Sequence, residues 1–232
     1  MLPRRLVLAP VAALAAVLLA APPAQAALTG TISAEDVVLR NKCRHQPVAY
    51  DLALGPEIVL WQIKLSLVGP TGRTSEGIDL TSVDGDPTSG TVRFLICGSY
   101  DPGTYTVRTT GSYQVLPVVN LPVSVADTTF EVRRAASRTG LSGTHLSGHR
   151  YRLVAQVEGE RRQGFKPTNS AEVAFERRVD GVWKVIKGSG ALTDHGIATS
   201  VVSVASGTRV RAVTQQAGYL DGSTSKPVKV HP

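Results

Sequence analysis

Five histidines, His45, His145, His149, His195 and His231, are the residues through which a catalytic or metal-binding reading of this chain has to run. His145 and His149 stand four apart, a spacing that would place both rings on one face of a helix, but the glycines around them argue against a helix there. Asp194-His195-Gly196 has the composition of a hairpin tip. No G-x-S-x-G elbow occurs, and no serine can be assigned to a triad, whose members are recognised by geometry. These residue types point away from an enzyme, and no catalytic or cofactor-binding residue, and no cofactor, is assigned. The carboxylates Asp79, Asp84 and Asp86 invite calcium, because hard cations take several oxygens from one loop. They lack the glycine and closing glutamate of an EF-hand register, so an acidic turn is the simpler reading and calcium stays open.

Arginines come in pairs, at Arg133-Arg134, Arg161-Arg162 and Arg177-Arg178, with Arg209 and Arg211 in alternation. Arg161, Arg162, Arg177 and Arg178 are the candidate contacts to an anionic surface, whose oxyanions match the guanidinium fork. Adjacent residues of a strand face opposite ways, so one member of such a pair is expected at a core margin or an inter-domain seam. The simpler alternative is solvated strand surface that discourages edge-to-edge pairing.

Residues 1–26 read as a signal peptide: Arg4 and Arg5 give a basic start, Leu6 to Ala21 an apolar core, and Ala24-Gln25-Ala26 a small-x-small cleavage site. Pro10 interrupts the run and Pro22-Pro23 closes it short of a span of roughly 20 residues, which argues against a retained anchor. No membrane span is expected after cleavage, and the first cysteine lies too far on for a lipid anchor. Without Arg4 and Arg5 the formal charge falls from +7 to +5, with 23 basic against 18 acidic residues. That modest bias would attract anionic cell-wall polymer, acidic protein or nucleic acid alike and chooses none of them, although nucleic acid is not the expected partner. In an exported chain the two cysteines, Cys43 and Cys97, are most simply one disulfide. They offer too few soft ligands for a metal.

The elements that must carry these residues are strands. Val48 to Leu54 alternates, and Ile58 to Val68 sets Val59, Trp61, Ile63, Leu65 and Leu67 on one face, which makes Trp61 the expected aromatic centre of a core. Glycine and proline turns follow at Gly69-Pro70 and Asp84 to Pro87. Thr91 to Cys97, then Asp101-Pro102-Gly103, then Thr104 to Thr110 read as two strands meeting at a corner. Leu116 to Val125 completes the first unit, with Pro117 and Pro122 suited to an edge or a bulge. This region resembles an immunoglobulin domain, in which the second and fifth strands are antiparallel neighbours. Val48–Leu54 and Thr91–Cys97 take those places, so the bridge would staple the rim of one sheet and leave the core uncrossed. The resemblance also gives Tyr105 the part of a corner tyrosine.

A second unit is read from Thr128, whose strand Thr128 to Val132 is taken to open it, followed by a polar stretch through Gly148, a strand Tyr151 to Val157, and a charged loop Glu158 to Asn169. Ala171 to Ile186 reads as a hairpin about Asp180-Gly181; a two-residue turn there sets Arg178 opposite Trp183, where the guanidinium could stack on the indole. Ile197 to Val204, Thr208 to Gln215 and Lys226 to Val230 follow. Gly207-Thr208-Arg209-Val210-Arg211 echoes Gly103-Thr104-Tyr105-Thr106-Val107, with arginine in place of the corner tyrosine. Residues 128–231, through Ala136-Ser137-Arg138-Thr139, Val173 to Arg178, Asp180-Gly181-Val182-Trp183, Thr193-Asp194 and Gly207 to Ala212, resemble the bacterial Ig-like modules of exported actinobacterial proteins.

The expected fold class is all-β: two tandem immunoglobulin-like β-sandwich domains, 27–126 and 127–232, after the leader 1–26. The leader implies a secreted or cell-surface protein, the absence of a catalytic signature a non-enzymatic one, and the resemblance a binding, adhesion or spacer role whose partner is an unidentified protein or cell-wall polymer. The alternatives are an inhibitor or accessory module for an extracellular enzyme, using a loop such as Glu158–Asn169, and a carbohydrate-binding module.

Overall fold

The computed structural model describes residues 27–117 and 119–232, so the leader read at 1–26 lies outside the described residues. Apart from one 3-10 turn at Ser82–Asp84, every regular element described is a strand. The fold is all-β, as the two-residue periodicity predicts.

The first ten strands are β1 (Thr29–Ala34), β2 (Val37–Val38), β3 (Arg44–Ala53), β4 (Ile58–Val68), β5 (Thr74–Thr81), β6 (Ser89–Ile96), β7 (Gly103–Val115), β8 (Val119–Pro122), β9 (Ser124–Val125) and β10 (Thr128–Arg133). One sheet runs β6-β3-β1-β9, and the other β2-β10-β7-β4-β5 with β8 also on β7. Trp61, Ile63, Leu65 and Leu67 of β4 face Val48, Tyr50 and Leu52 of β3 and Val92, Phe94 and Ile96 of β6 within one buried cluster. Val59, expected on the same face as Trp61, is turned outward. The register between β4 and β7 shifts between Ile58 and Leu60, and a bulge of that kind reverses the facing of what precedes it.

β3 and β6 are antiparallel neighbours, with Arg44 opposite Ile96. Cys43 and Cys97, one residue beyond each strand, form the disulfide, and it sits at the sheet's rim as the strand positions predict. Tyr105 is buried against Phe130 and donates its hydroxyl to the Asp101 carbonyl at 3.0 Å, closing the corner.

Strand β10 differs from the sequence reading. Instead of opening a second unit it pairs antiparallel with β7 and parallel with β2, and buries Phe130 and Val132 in the first cluster. The chain leaves β8, crosses to pair β9 with β1, and returns along β7, so what reads as an end at Val125 is an excursion within one strand position. Passage to the second cluster falls at Arg134-Ala135, beyond the boundary expected at 126/127.

The later strands are β11 (Ser137–Ser147), β12 (Arg150–Arg161), β13 (Gly164–Pro167), β14 (Glu172–Val179), β15 (Val182–Val185), β16 (Ala191–Leu192), β17 (Ile197–Ser203), β18 (Arg209–Thr214), β19 (Ser223–Thr224) and β20 (Val228–Lys229). β12 is flanked by β11 on one side and by β17 and β13 on the other; β14 lies between β18 and the short strands β15 and β16. Tyr151, Leu153, Ala155 and Val157 of β12 pack with Val173 and Phe175 of β14 and Val210 and Ala212 of β18. The polar stretch before Tyr151 is strand β11, an edge with little to bury, which is why its composition hides it. Glu158–Asn169, read as a loop, is mostly the β12–β13 hairpin, with Arg161 opposite Gly164.

Candidate functional site

The two clusters meet along a seam that uses charged residues as well as apolar ones. Arg133, at the end of β10, grips Glu160 near the end of β12 through both guanidinium nitrogens, each at 2.7 Å. Glu160 also accepts from the Ala136 amide at 3.2 Å. Chiefly because of the Arg133 hydrogen bond, its carboxyl is held down to about 2. Arg134, just past the end of β10, donates Nε to the Ala217 carbonyl, so both members of this arginine pair serve the seam, where strand alternation leads one to expect a single member. Tyr219 packs against both apolar clusters and donates its hydroxyl to the Asn169 carbonyl at 3.1 Å, while Val38 of β2 reaches the second cluster. Backbone is in close approach as well: a Cβ on Gly218 would lie 2.7 Å from the Gly98 carbonyl oxygen.

Beside this contact opens a cleft of about 430 Å³, lined from one half by Glu35, Asp36, Arg40 and Arg44 and from the other by Glu160, Arg161 and Arg162. Three features place the arginines. The Cys43–Cys97 bridge anchors the chain next to Arg44. Arg40 lies in the connection between β2 and β3. The tight turn from β12 to β13 presents Arg161 and Arg162, and Arg161 is steadied by the Glu160 carbonyl at 3.3 Å and a long contact to the Thr168 hydroxyl. Burial, and then the neighbouring charge of Arg40, push the Arg44 guanidinium below its usual value.

Of the four arginines expected to meet an anionic surface, Arg161 and Arg162 therefore share a cleft, while Arg177 and Arg178 lie exposed on β14 and line none of it. Sequence reading missed Arg40 and Arg44, which lie far from Arg161 along the chain and carry no pairing signal. The Asp180-Gly181 turn does hold two residues, both with positive φ, and sets Arg178 opposite Trp183. The stacking partner differs, however. Arg178 turns back to the Gly181 carbonyl, and Arg211 from β18 lies over the indole at 4.4 Å while bonding Glu176 at 2.6 Å.

Trp61 is 5% exposed, so its ring belongs to the core. His145 sits on β11 against Tyr151, and His195 occupies the tip between Asp194 and Ile197. Asp86 accepts from the Thr81 amide at 2.8 Å, and Asp79 lies opposite Lys64. Among the described residues no group of three or more His, Cys, Asp or Glu is gathered to hold a metal ion, Asp79, Asp84 and Asp86 included. Also among them, no helix is long and apolar enough to cross a membrane. Compared with protein-family models and with curated proteins, the chain matches none.

Proposed function

We propose that this is an exported, non-enzymatic protein of two immunoglobulin-like sandwich domains of the bacterial type, acting at the cell surface as a binding or spacing unit. The observation that carries this reading is the seam. A spacer has to hold its parts in fixed relation, and here an ion pair, a shared tyrosine and glycine-tight backbone packing join the two clusters. The leader-like start of the sequence and the disulfide support export, because a thiol pair of this kind persists outside the cytoplasm. Retention of the secreted chain on purified cell wall, unaffected by soluble sugar, is the expected result. Release by soluble sugar would favour a carbohydrate-binding module instead, and stoichiometric co-purification of an extracellular hydrolase or protease would favour an inhibitor.

A further inference from the structure

The cleft at the seam contains more positive charge than its own carboxylates answer. None of Arg40, Arg44, Arg161 and Arg162 forms an ion pair with any described residue, although three carboxylates line the same cleft. Two of those are engaged elsewhere: Glu160 by Arg133 and the Ala136 amide, and Asp36 by the Glu131 amide at 2.8 Å. Arg44 is the most telling of the four. Its Nε is buried with no hydrogen-bond partner among the described residues, and its Nη2 has only a 3.4 Å contact to Gln46. Orphaning a buried charged donor costs stability, and like charges held together cost more, unless something anionic completes the set.

We infer that the seam cleft is a binding site for a phosphate-bearing anion, gripped by Arg40 and Arg44 from one half of the molecule and by Arg161 and Arg162 from the other. Guanidinium groups from separate segments suit the several oxygens of a phosphate, to which each can donate two parallel N–H bonds. The cleft is of the size of small-ligand sites, with room for one phosphate group and its immediate substituents. Because both halves contribute, the ligand would also strengthen the seam. The inference depends on that geometry and not on where the protein resides, so it can fail while cell-wall retention holds, and the reverse.

The test is titration calorimetry on the intact, disulfide-bonded chain at constant ionic strength, with inorganic phosphate and with soluble poly(glycerol phosphate) as probes. Saturable one-site binding of either is expected; the first identifies a free phosphate site, the second alone a phosphodiester polymer site. Arg44→Gln and Arg161→Gln should each weaken it by roughly tenfold or more, the loss of one charge-assisted pair of bonds. Arg162→Gln, exposed and outside any strand, covers the case in which Arg44→Gln fails to fold. Arg177→Gln with Arg178→Gln should leave binding unchanged. Absence of saturable binding to both probes would overturn the inference, as would equal weakening by the β14 pair, since that is the behaviour of net charge alone.

Discussion

Glu160 is kept ionised by its neighbours, and that makes the seam sensitive to acid. Its carboxyl lies at about 2 against an ordinary 4.5, so the folded state binds a proton less readily than the unfolded chain. The resulting stabilisation is fully present above pH 4.5 and is lost as pH falls from there through 2. Glu160→Gln should cost about 1 kcal/mol near neutrality, a value set by a partly exposed ion pair, and urea melts should show the variant and the parent converging in strong acid. Tyr105 behaves oppositely at the other end of the scale. Burial first, then Asp101 and Tyr100, push its phenol up to about 12. The folded state therefore retains the proton longer than the unfolded chain, and the stabilisation present below pH 10 disappears as pH rises from 10 through 12. Tyr105→Phe should cost about 1 kcal/mol at neutral pH through loss of the bond to Asp101, and should remove that alkaline decline. Phenolate absorbance against pH reads the same group directly. Tyr105, Trp61 and the paired cysteines were legible in the sequence because each is tied to a local signal: a Pro-Gly corner, an alternating apolar run, strand ends at matching positions. Arg40, Arg44 and the Arg133–Glu160 clasp were not, because charge partners brought together by tertiary packing leave no trace in spacing.

At the level of strands, the Cys43–Cys97 bridge closes a sequence separation of 54 residues while joining strands that are already hydrogen-bonded neighbours. Its effect is thus largely on the unfolded chain, and reduction, or Cys43→Ser with Cys97→Ser, should lower stability by about 4 kcal/mol on the chain-entropy account. Equilibrium denaturation with and without reductant measures this, and intact mass should show the untreated chain lighter by two hydrogens. Periodicity found the strands that bury a face, β3, β4, β6 and β12, with nearly the right facing. It failed for β11 and the β12–β13 hairpin, where polar residues and glycines occupy an edge that buries little. It also misassigned β10, since an alternating strand looks the same whichever sheet receives it. Of the echoing segments Gly103–Val107 and Gly207–Arg211, the first opens β7, paired antiparallel with β4, and the second leads into β18, paired antiparallel with β14. Arg209 is exposed where Tyr105 is buried, so the second corner has no tyrosine.

For the molecule as a whole, the question is whether the two apolar clusters unfold together. Tyr219 contributes to both, the Ala135 amide donates to the Tyr219 carbonyl at 2.9 Å, and Gly218 lies so close to Gly98 that any side chain there meets main chain. Each contact is modest alone, but all are made by a few residues between Arg133 and Ala136 and between Ala217 and Asp221, so coupling should be concentrated there. Tyr219→Ala removes the shared ring, and Gly218→Ala forces the backbone apart; each should split a single thermal transition into two and open Arg134 to limited proteolysis, while leaving the strand content seen by circular dichroism unchanged. A substitution of equal severity within one cluster, such as Phe175→Ala, should lower stability by about 3–5 kcal/mol through the cavity it leaves. Calorimetric scans that show one transition for Tyr219→Ala and Gly218→Ala alike would mean that the clusters are coupled by more than this seam.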